Sequence, residues 1–198
     1  MSGTAPAEDT ALGLLARPGF AKLLAYRIFA MLSYQVVAVT VGWHIYEVTR
    51  NPFSLGLIGL AEVLPFFCVA PFAGYLVDHL PRRRLGMAAC SGLIATALVL
   101  TSVAKGWLPF EDVWPIYAAI ALTGMVRAFL SPIYNALFAR VLARDQFARG
   151  AGLGAVVFQA GMVAGPALGG VLVGFGGKGL SYAVATAFAL VAMACLAT

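Results

Sequence analysis

The chain contains 198 residues, of which 62% are hydrophobic and only 11% are charged. A soluble globular domain is about half apolar and about one quarter charged, so this composition cannot cover a water-facing surface. The net charge of +5 comes from basic residues in short clusters between apolar runs, which is typical of membrane proteins and not of nucleic-acid-binding modules. Disordered chains and disulfide-stapled secreted domains are excluded as well. We therefore predict an all-α membrane protein in contact with lipid, with no nucleic-acid partner.

Six apolar runs follow one another along the chain, each near the length that a bilayer requires. Every run is predicted to be a helix, because lipid offers no hydrogen-bond partner to an open strand. Residues 1–19 lack an apolar core with a cleavage site, so they are predicted to be a cytoplasmic N-terminal segment and not a signal peptide. Residues 20–198 are predicted to form one transmembrane domain with spans at about 20–46, 53–77, 85–104, 113–139, 150–175 and 180–197.

The basic residues predict the orientation of these spans. Nine Lys and Arg residues fall on the side that holds the N-terminus and three fall on the other side. This bias predicts a cytoplasmic N-terminus. We expect a multi-pass protein of the plasma (inner) membrane. The three tryptophans, Trp43, Trp107 and Trp114, all fall at span ends on the opposite side, where indoles favour the interface.

Two charged residues lie within predicted spans, Glu62 in the second and Arg127 in the fourth. A charge at mid-membrane costs about 2.5 to 3.5 kcal/mol on insertion scales, so each needs a reason. One interpretation of Glu62 is a proton-coupling site, in which burial raises the pKa of its carboxyl group. The other is a structural hydrogen bond to a neighbouring helix. The sequence leaves open whether the two side chains face each other.

The loop after the second span places a carboxylate one turn before a cluster of arginines. Such a charge network can latch onto a neighbouring helix end and release it, as a conformational switch requires. The arginines alone could instead serve only to keep the loop in the cytoplasm. The predicted gating residues are Gly74, Asp78, Arg82 and Arg83.

This loop resembles the first cytoplasmic loop of the major facilitator superfamily of transporters, whose pattern is G-x-L-x-D-x-x-G-R-[RK]. Pro81 replaces the second glycine, and the other positions match. The resemblance implies half of a twelve-helix facilitator fold, with six transmembrane helices arranged as two three-helix repeats. It also implies that Asp78 and the two arginines hold a cytoplasmic gate against a second six-helix domain.

The fifth span carries glycines four residues apart, which form a bare ridge that lets another backbone approach closely. A proline beside the ridge removes a backbone donor and is expected to bend the helix. Ordinary tight packing is the alternative interpretation of the spacing. The predicted helix-packing motif consists of Gly161, Gly165, Pro166, Gly169 and Gly170. Its string G-x-x-x-G-P-x-x-G-G resembles the fifth-helix signature of facilitator-family exporters, which implies outward, proton-coupled antiport. Many exporters of this family carry an arginine near the middle of the fourth span, and this resemblance implies a proton-coupling role for Arg127.

A third resemblance extends from about residue 17 to the end of the chain. The strings Y-E-V-T-R-N-P at 46–52 and P-F-A-G at 71–74, with Ser131-Pro132, are similar to the facilitator subfamily that includes enterobactin-type siderophore exporters. The resemblance implies export of a hydrophobic or siderophore-like small molecule in exchange for protons. It does not fix the cargo.

Further polar residues lie in the spans. Arg27 is expected to extend its charge to the headgroups, and His44 and Glu47 are expected to lie at the outer interface. Aromatic residues such as Phe66 and Phe158 would suit a bulky cargo. The candidate cavity residues are Gln35, Tyr134, Asn135 and Gln159.

Chemistry of other kinds is not supported by the sequence. The chain has no G-x-S-G nucleophile motif, no phosphate-binding loop and no metal-ligand spacing, so we predict no enzymatic activity, no cofactor and no metal. A facilitator-fold importer and a non-transporting membrane scaffold remain alternatives. Transporters of this type rock two halves against each other, so we expect either a missing C-terminal half or a second copy. The glycine ridge is expected to contact that missing half.

Overall fold

The structure of the chain is a computed structural model, and it describes residues 11–107 and 113–197. Part of the predicted N-terminal segment, residues 1–10, lies outside the described residues. The described residues form helices and connecting turns, without strands. In chain order, the elements are α1 (Ala11–Leu15), α2 (Pro18–Thr49), α3 (Pro52–His79), α4 (Arg82–Ala104), α5 (Trp114–Val141), a 3₁₀ turn (Arg144–Gln146) and α6 (Phe147–Ala197).

Five helices, α2 to α6, are long and apolar enough to cross a membrane. The predicted fifth and sixth spans both fall within α6, so six separate helices are not observed. The backbone leaves the helical conformation once inside α6, at Gly177, where φ is 71° and ψ is 179°. This positive φ is readily adopted by glycine because it has no Cβ.

The two parts of α6 run along α2 in opposite directions. Before Gly177, Gly161 faces Met31 and Gly169 faces Val39, so residue numbers rise together along the two helices. After Gly177 the order reverses. The ring of Phe188 lies 5.8 Å from that of Phe29, and the hydroxyl of Tyr182 lies 3.1 Å from Nδ1 of His44. Residues 147–197 therefore form a helical hairpin that holds α2.

The core lies around α2, which buries fourteen of its residues and packs mainly against α6. By contrast, α3 packs mainly against α5 and leaves most of its apolar surface uncovered. Phe53, Phe67 and Phe72 on α3 are each about two-thirds exposed. The fold therefore has one helix in its centre and one at its edge.

The glycine ridge of α6 packs against α2, which corrects the expectation that it contacts a missing half. An added Cβ would lie 2.7 Å from Sδ of Met31 at Gly161, 2.5 Å from Cβ of Gln35 at Gly165 and 3.0 Å from Cβ of Val39 at Gly169. The ridge glycines are buried in this contact. Glycine is needed at these positions because a side chain would push the two backbones apart.

The other two residues of the predicted packing motif lie off this contact. Pro166 is exposed, and the backbone around it keeps helical dihedral angles. Gly170 is exposed too, and a Cβ added there would meet no atom within 4 Å. Gly170 instead lines an apolar groove between α2 and α6, beside Gly42 and Trp43. Only the three glycines spaced four apart form the close contact.

Candidate functional site

A close crossing of α3 and α5 sets the position of the two charges within the apolar helices. Gly124 on α5 lies so near the backbone carbonyl of Glu62 on α3 that a Cβ would overlap with it. Arg127 follows Gly124 by three residues, close to one helical turn, so both residues lie on the same side of α5. The glycine thus brings the backbones together, and the arginine meets the carboxylate at the crossing.

The Glu62 carboxylate and the Arg127 guanidinium form an ion pair. The Glu62 side chain is 16% exposed and that of Arg127 is 35% exposed. The Arg127 guanidinium also lies 4.6 Å from the centre of the Tyr34 ring on α2, within the range of a cation–π contact. The question that the sequence leaves open is thereby answered, since the two charges do face each other.

Arg27 on α2 makes the matching contact on the opposite side. Its guanidinium lies 3.9 Å from the centre of the Tyr134 ring and 5.1 Å from that of Phe158. A side chain at Gly154 on α6 would collide with the Tyr134 hydroxyl, so that glycine makes room for the stack. Arg27 therefore points toward other helices, and the expectation that it extends to the headgroups is wrong for this structure.

The two cation–π contacts are reciprocal. Arg27 precedes Tyr34 by seven residues on α2, and Arg127 precedes Tyr134 by seven residues on α5. Each arginine stacks on the tyrosine of the other helix. Exchange of this kind is what a local two-fold axis produces, and it requires α2 and α5 to run antiparallel here.

These residues surround a cavity of about 290 Å³ between α2, α3, α5 and α6. The cavity wall also includes two residues of α2, Ala30 and Met31, and two residues of α5, Leu130 and Ser131. The hydroxyl groups of Tyr26 and Tyr134 are buried and have no hydrogen-bond partner among the described residues. The remaining wall includes Phe66, Phe158 and Met162. The cavity is thus mainly apolar and aromatic, with the guanidinium groups of Arg27 and Arg127 in its wall and Glu62 paired to the second of them.

Of the four candidate cavity residues, the structure places Tyr134 on the cavity wall and the other three elsewhere. Gln35 packs against Gly165, and its Nε2 donates to Sδ of Met162 at 3.4 Å. Asn135 and Gln159 are exposed. Each of these two follows a wall residue by one position, and one position rotates a helical side chain by about 100°. They therefore point away from the cavity.

Three wall residues were not predicted from the sequence as cavity residues, namely Tyr34, Met31 and Ser131. The inward direction of the Arg27 side chain was not predicted either. One signal could have found them. The stretch Arg-x-x-Ala-Met-x-x-Tyr at 27–34 and the stretch Arg-x-x-Leu-Ser-x-x-Tyr at 127–134 share their spacing. Positions separated by three, four and seven residues lie on one helix face. The repeated spacing therefore marks two helix faces of the same kind.

The predicted gating loop has a different geometry from the one expected. Asp78 and Arg83 are exposed, and within residues 11–107 and 113–197 Asp78 forms no ion pair. Nη1 of Arg82 donates to the backbone oxygen of Ala136 on α5 at 3.5 Å. A Cβ at Gly74 would meet no atom within 4 Å. The expected charge network within the loop is therefore not formed, and the Asp78 carboxylate faces outward.

The opposite end of the helices carries a polar clasp between α2 and the hairpin. His44 is only 3% exposed and hydrogen-bonds to Tyr182, so it lies within the protein and not at the interface as expected. Nζ of Lys178 lies 2.8 Å from Oε2 of Glu47. These two contacts attach the turn at Gly177 to the end of α2. Among the described residues, no group of three His, Cys, Asp or Glu residues could hold a metal ion.

Comparison with known proteins agrees with this architecture. The sequence profile of the Major Facilitator Superfamily matches residues 23–198. The chain is 24% identical over 156 residues to macrolide efflux protein A of Streptococcus pyogenes, covering 76% of this chain and 38% of the relative. It is 25% identical over 181 residues to the probable anion transporter 4, chloroplastic, of Arabidopsis thaliana, covering 86% of this chain and 33% of the relative.

The chain thus spans between a third and two fifths of the length of these curated relatives. The match covers α3 to α6 and nearly all of α2, and therefore every residue of the cavity. The apolar helices and the matched profile together make this a multi-pass membrane protein. The chain belongs to the Major Facilitator Superfamily of transporters.

Proposed function

We propose that this chain is the N-terminal half of a secondary active transporter that exports a hydrophobic or siderophore-like molecule in exchange for protons. The observation that carries the proposal is the Glu62–Arg127 ion pair at the wall of an aromatic cavity. Removing an ion pair from water costs free energy. Charged residues within membrane spans are therefore rare, and those that occur usually have a function. The printed name of one relative, a macrolide efflux protein, favours the outward direction.

Proton coupling follows from the position of the pair. Arg127 has a carboxylate partner only while Glu62 is ionised, and protonation of Glu62 removes that attraction. The pair joins α3 to α5, the helix against which α3 mainly packs. Protonation is therefore expected to loosen α3 at the level of the cavity. Such a change gives the proton gradient a means to bias one conformation over the other.

We further propose six spans arranged as two three-helix repeats. The reversal of the chain at Gly177 supports two spans within α6. The reciprocal stacking of Arg27 on Tyr134 and of Arg127 on Tyr34 supports a two-fold relation between the first and the fourth span. Inverted repeats of this kind are common in secondary transporters.

The proposed partner of this half is a second bundle, either a C-terminal half or a second copy of the chain. The length of the relatives, which exceeds the matched region more than twofold, supports this part of the proposal. The exposed loop residues Asp78 and Arg83 are free to meet such a bundle at a cytoplasmic gate. The basic bias of nine residues against three supports a plasma-membrane protein whose N-terminus lies in the cytoplasm.

The test is transport by the protein at its natural full length in inverted membrane vesicles. With a panel of labelled macrolides and siderophores, we expect uptake into inverted vesicles that collapses with a protonophore. Glu62→Gln should abolish the part of uptake that depends on the pH gradient. Glu47→Gln is the matched control, since Glu47 also forms an ion pair but lies away from the cavity. Unchanged uptake with the protonophore and in Glu62→Gln would overturn the proton coupling.

The same vesicles separate the other candidate functions. An importer would release labelled cargo from inverted vesicles instead of accumulating it. A membrane scaffold would move no cargo and would tolerate neutral replacement of both Glu62 and Arg127. Transport in the expected direction together with sensitivity at Glu62 is the result that only the proposed function gives.

A further inference from the structure

Arg27 is a charge in the cavity wall without a counterion. Within the described part of the chain it forms no ion pair and no hydrogen bond, and its contacts are the rings of Tyr134 and Phe158. An arginine keeps its positive charge in proteins, and its planar group offers five N–H donors. Stacking on the two rings leaves the positive charge of Arg27 unneutralised, and the edge of a guanidinium carries its N–H donors. That edge is the part that binds carboxylates in pairs of hydrogen bonds.

The two-fold relation shows what Arg27 lacks. Arg127, its counterpart, is neutralised by Glu62. One hundred residues after Glu62, the same offset that separates Arg27 from Arg127, the chain carries Met162. Met162 lines the cavity too, so the position equivalent to the carboxylate is occupied by an apolar thioether. One guanidinium of the pair has its acid partner within the chain, and the other has none among the residues that the structure describes.

We propose that the cavity binds an organic anion, a carboxylate on an aromatic or otherwise lipophilic skeleton, with Arg27 as its counterion. The ligand carboxylate supplies to Arg27 the negative charge that Glu62 supplies to Arg127. Its apolar part lies against the aromatic and thioether wall formed by Phe66, Phe158 and Met162. A site with one charged anchor and an apolar wall is the usual composition of a small-molecule pocket.

This inference rests on the proposed function in one respect, because it names the charge of the cargo that the transporter carries. An anion that leaves a cell carries negative charge outward, which the inside-negative membrane potential favours. The charge of the cargo is nevertheless a property of binding. It can be measured without any gradient, direction or coupling.

The experiment compares two probes of the same shape. Binding of labelled 2-naphthoate and of its neutral amide, 2-naphthamide, is measured at equilibrium with the full-length protein in nanodiscs of zwitterionic lipid, against empty nanodiscs. We expect the wild type to bind the acid more tightly than the amide. Arg27→Gln should weaken binding of the acid by about tenfold or more and leave binding of the amide unchanged. Arg140→Gln, the same charge change at an exposed helix end, should alter neither.

Arg27→Lys guards against a purely structural effect. It keeps the charge and is expected to retain a preference for the acid over the amide. Equal binding of the acid by wild type and Arg27→Gln would overturn the inference, as would equal loss of both probes in both Arg27 variants. Neither result depends on Glu62, the protonophore or the direction of flux, so a failure of the proposed function would be seen separately in the vesicle assay.

Discussion

The backbone of Glu62 lies directly against Gly124, and this contact fixes the distance between α3 and α5 at the level of the cavity. The ion pair, the cation–π contact of Arg127 and one wall of the cavity all depend on it. Because α3 packs mainly against α5, the crossing at Gly124 lies within the main attachment of an edge helix that carries the acidic residue.

Gly124→Ala should therefore separate α3 from α5. The added methyl overlaps with a backbone carbonyl, which cannot turn aside as a side chain can, so we expect a loss of about 1–3 kcal/mol in the free energy of unfolding. The measurement is unfolding in mixed micelles followed by circular dichroism. Gly59→Ala on α3 is the control, because its Cβ meets no atom within 4 Å. It should be neutral or stabilising, and equal stability of the two variants would contradict the role of the crossing.

The ion pair should show coupling in a double-mutant cycle. Glu62→Gln leaves the Arg127 charge unpaired, and Arg127→Gln leaves the Glu62 charge unpaired. The double variant carries neither charge. Since the Arg127 side chain is 35% exposed, we expect a coupling energy of about 1 kcal/mol, below that of a fully buried pair. The readout is the free energy of unfolding of all four proteins. Strictly additive losses would show that the two side chains do not interact.

Two buried tyrosines should respond differently to loss of the hydroxyl group. The Tyr182 hydroxyl hydrogen-bonds to His44 at 3.1 Å, so Tyr182→Phe should cost about 1 kcal/mol. The Tyr26 hydroxyl is buried without a partner among the described residues, so Tyr26→Phe should be neutral or stabilising. Unfolding midpoints of the two variants provide the comparison. A larger loss in Tyr26→Phe would mean that its hydroxyl has a partner outside the described residues.

The glycine ridge gives a third pair of matched variants. A Cβ at Gly165 would lie 2.5 Å from Cβ of Gln35, whereas a Cβ at Gly170 would meet nothing within 4 Å. Gly165→Ala should therefore destabilise the hairpin against α2, and Gly170→Ala should be tolerated or raise stability by about 0.5–1 kcal/mol. Protease accessibility of the turn at Gly177 reports the difference. Similar accessibility in both variants would argue against close packing of the ridge.

Asp78 should matter for transport and not for the stability of this half. It is exposed and forms no ion pair within the described ranges, so Asp78→Asn should change the free energy of unfolding by less than about 0.5 kcal/mol. If the carboxylate serves a gate, the same variant should lose most of its flux in vesicles. Asp145→Asn, also exposed, is the control that should keep its flux.

The sequence identified Glu62 and Arg127 because a charge within an apolar run is costly and therefore conspicuous. It could not pair them, since the contact joins residues 65 apart in sequence through a crossing that depends on Gly124. That signal was present, as a glycine three residues before the arginine, but a single glycine in a span has many possible reasons. Helix positions are local information, and helix crossings are not.

The failures at Gln35, Asn135 and Gln159 have a common origin. Polarity at mid-span shows that a side chain needs a partner or water, but it does not show which face of the helix points to a cavity. The prediction for Arg27 was wrong in the opposite direction. An arginine near a span end can extend its charge to the headgroups at little cost, so the sequence favoured an outward side chain. Only the packing of Tyr134 beside it shows that the side chain turns inward. The face of each helix was decided by contacts between distant spans.

The hairpin that encloses α2 affects how the chain can be made. During synthesis α2 emerges before the hairpin, yet the hydroxyl of Ser33 donates to the backbone oxygen of Ala185, 152 residues later. His44 hydrogen-bonds to Tyr182, which follows it by 138 residues. Until the hairpin has entered the bilayer, α2 holds these polar groups in lipid without their native partners. The polar contacts of α2 are therefore completed only after residues 182–185 have been made.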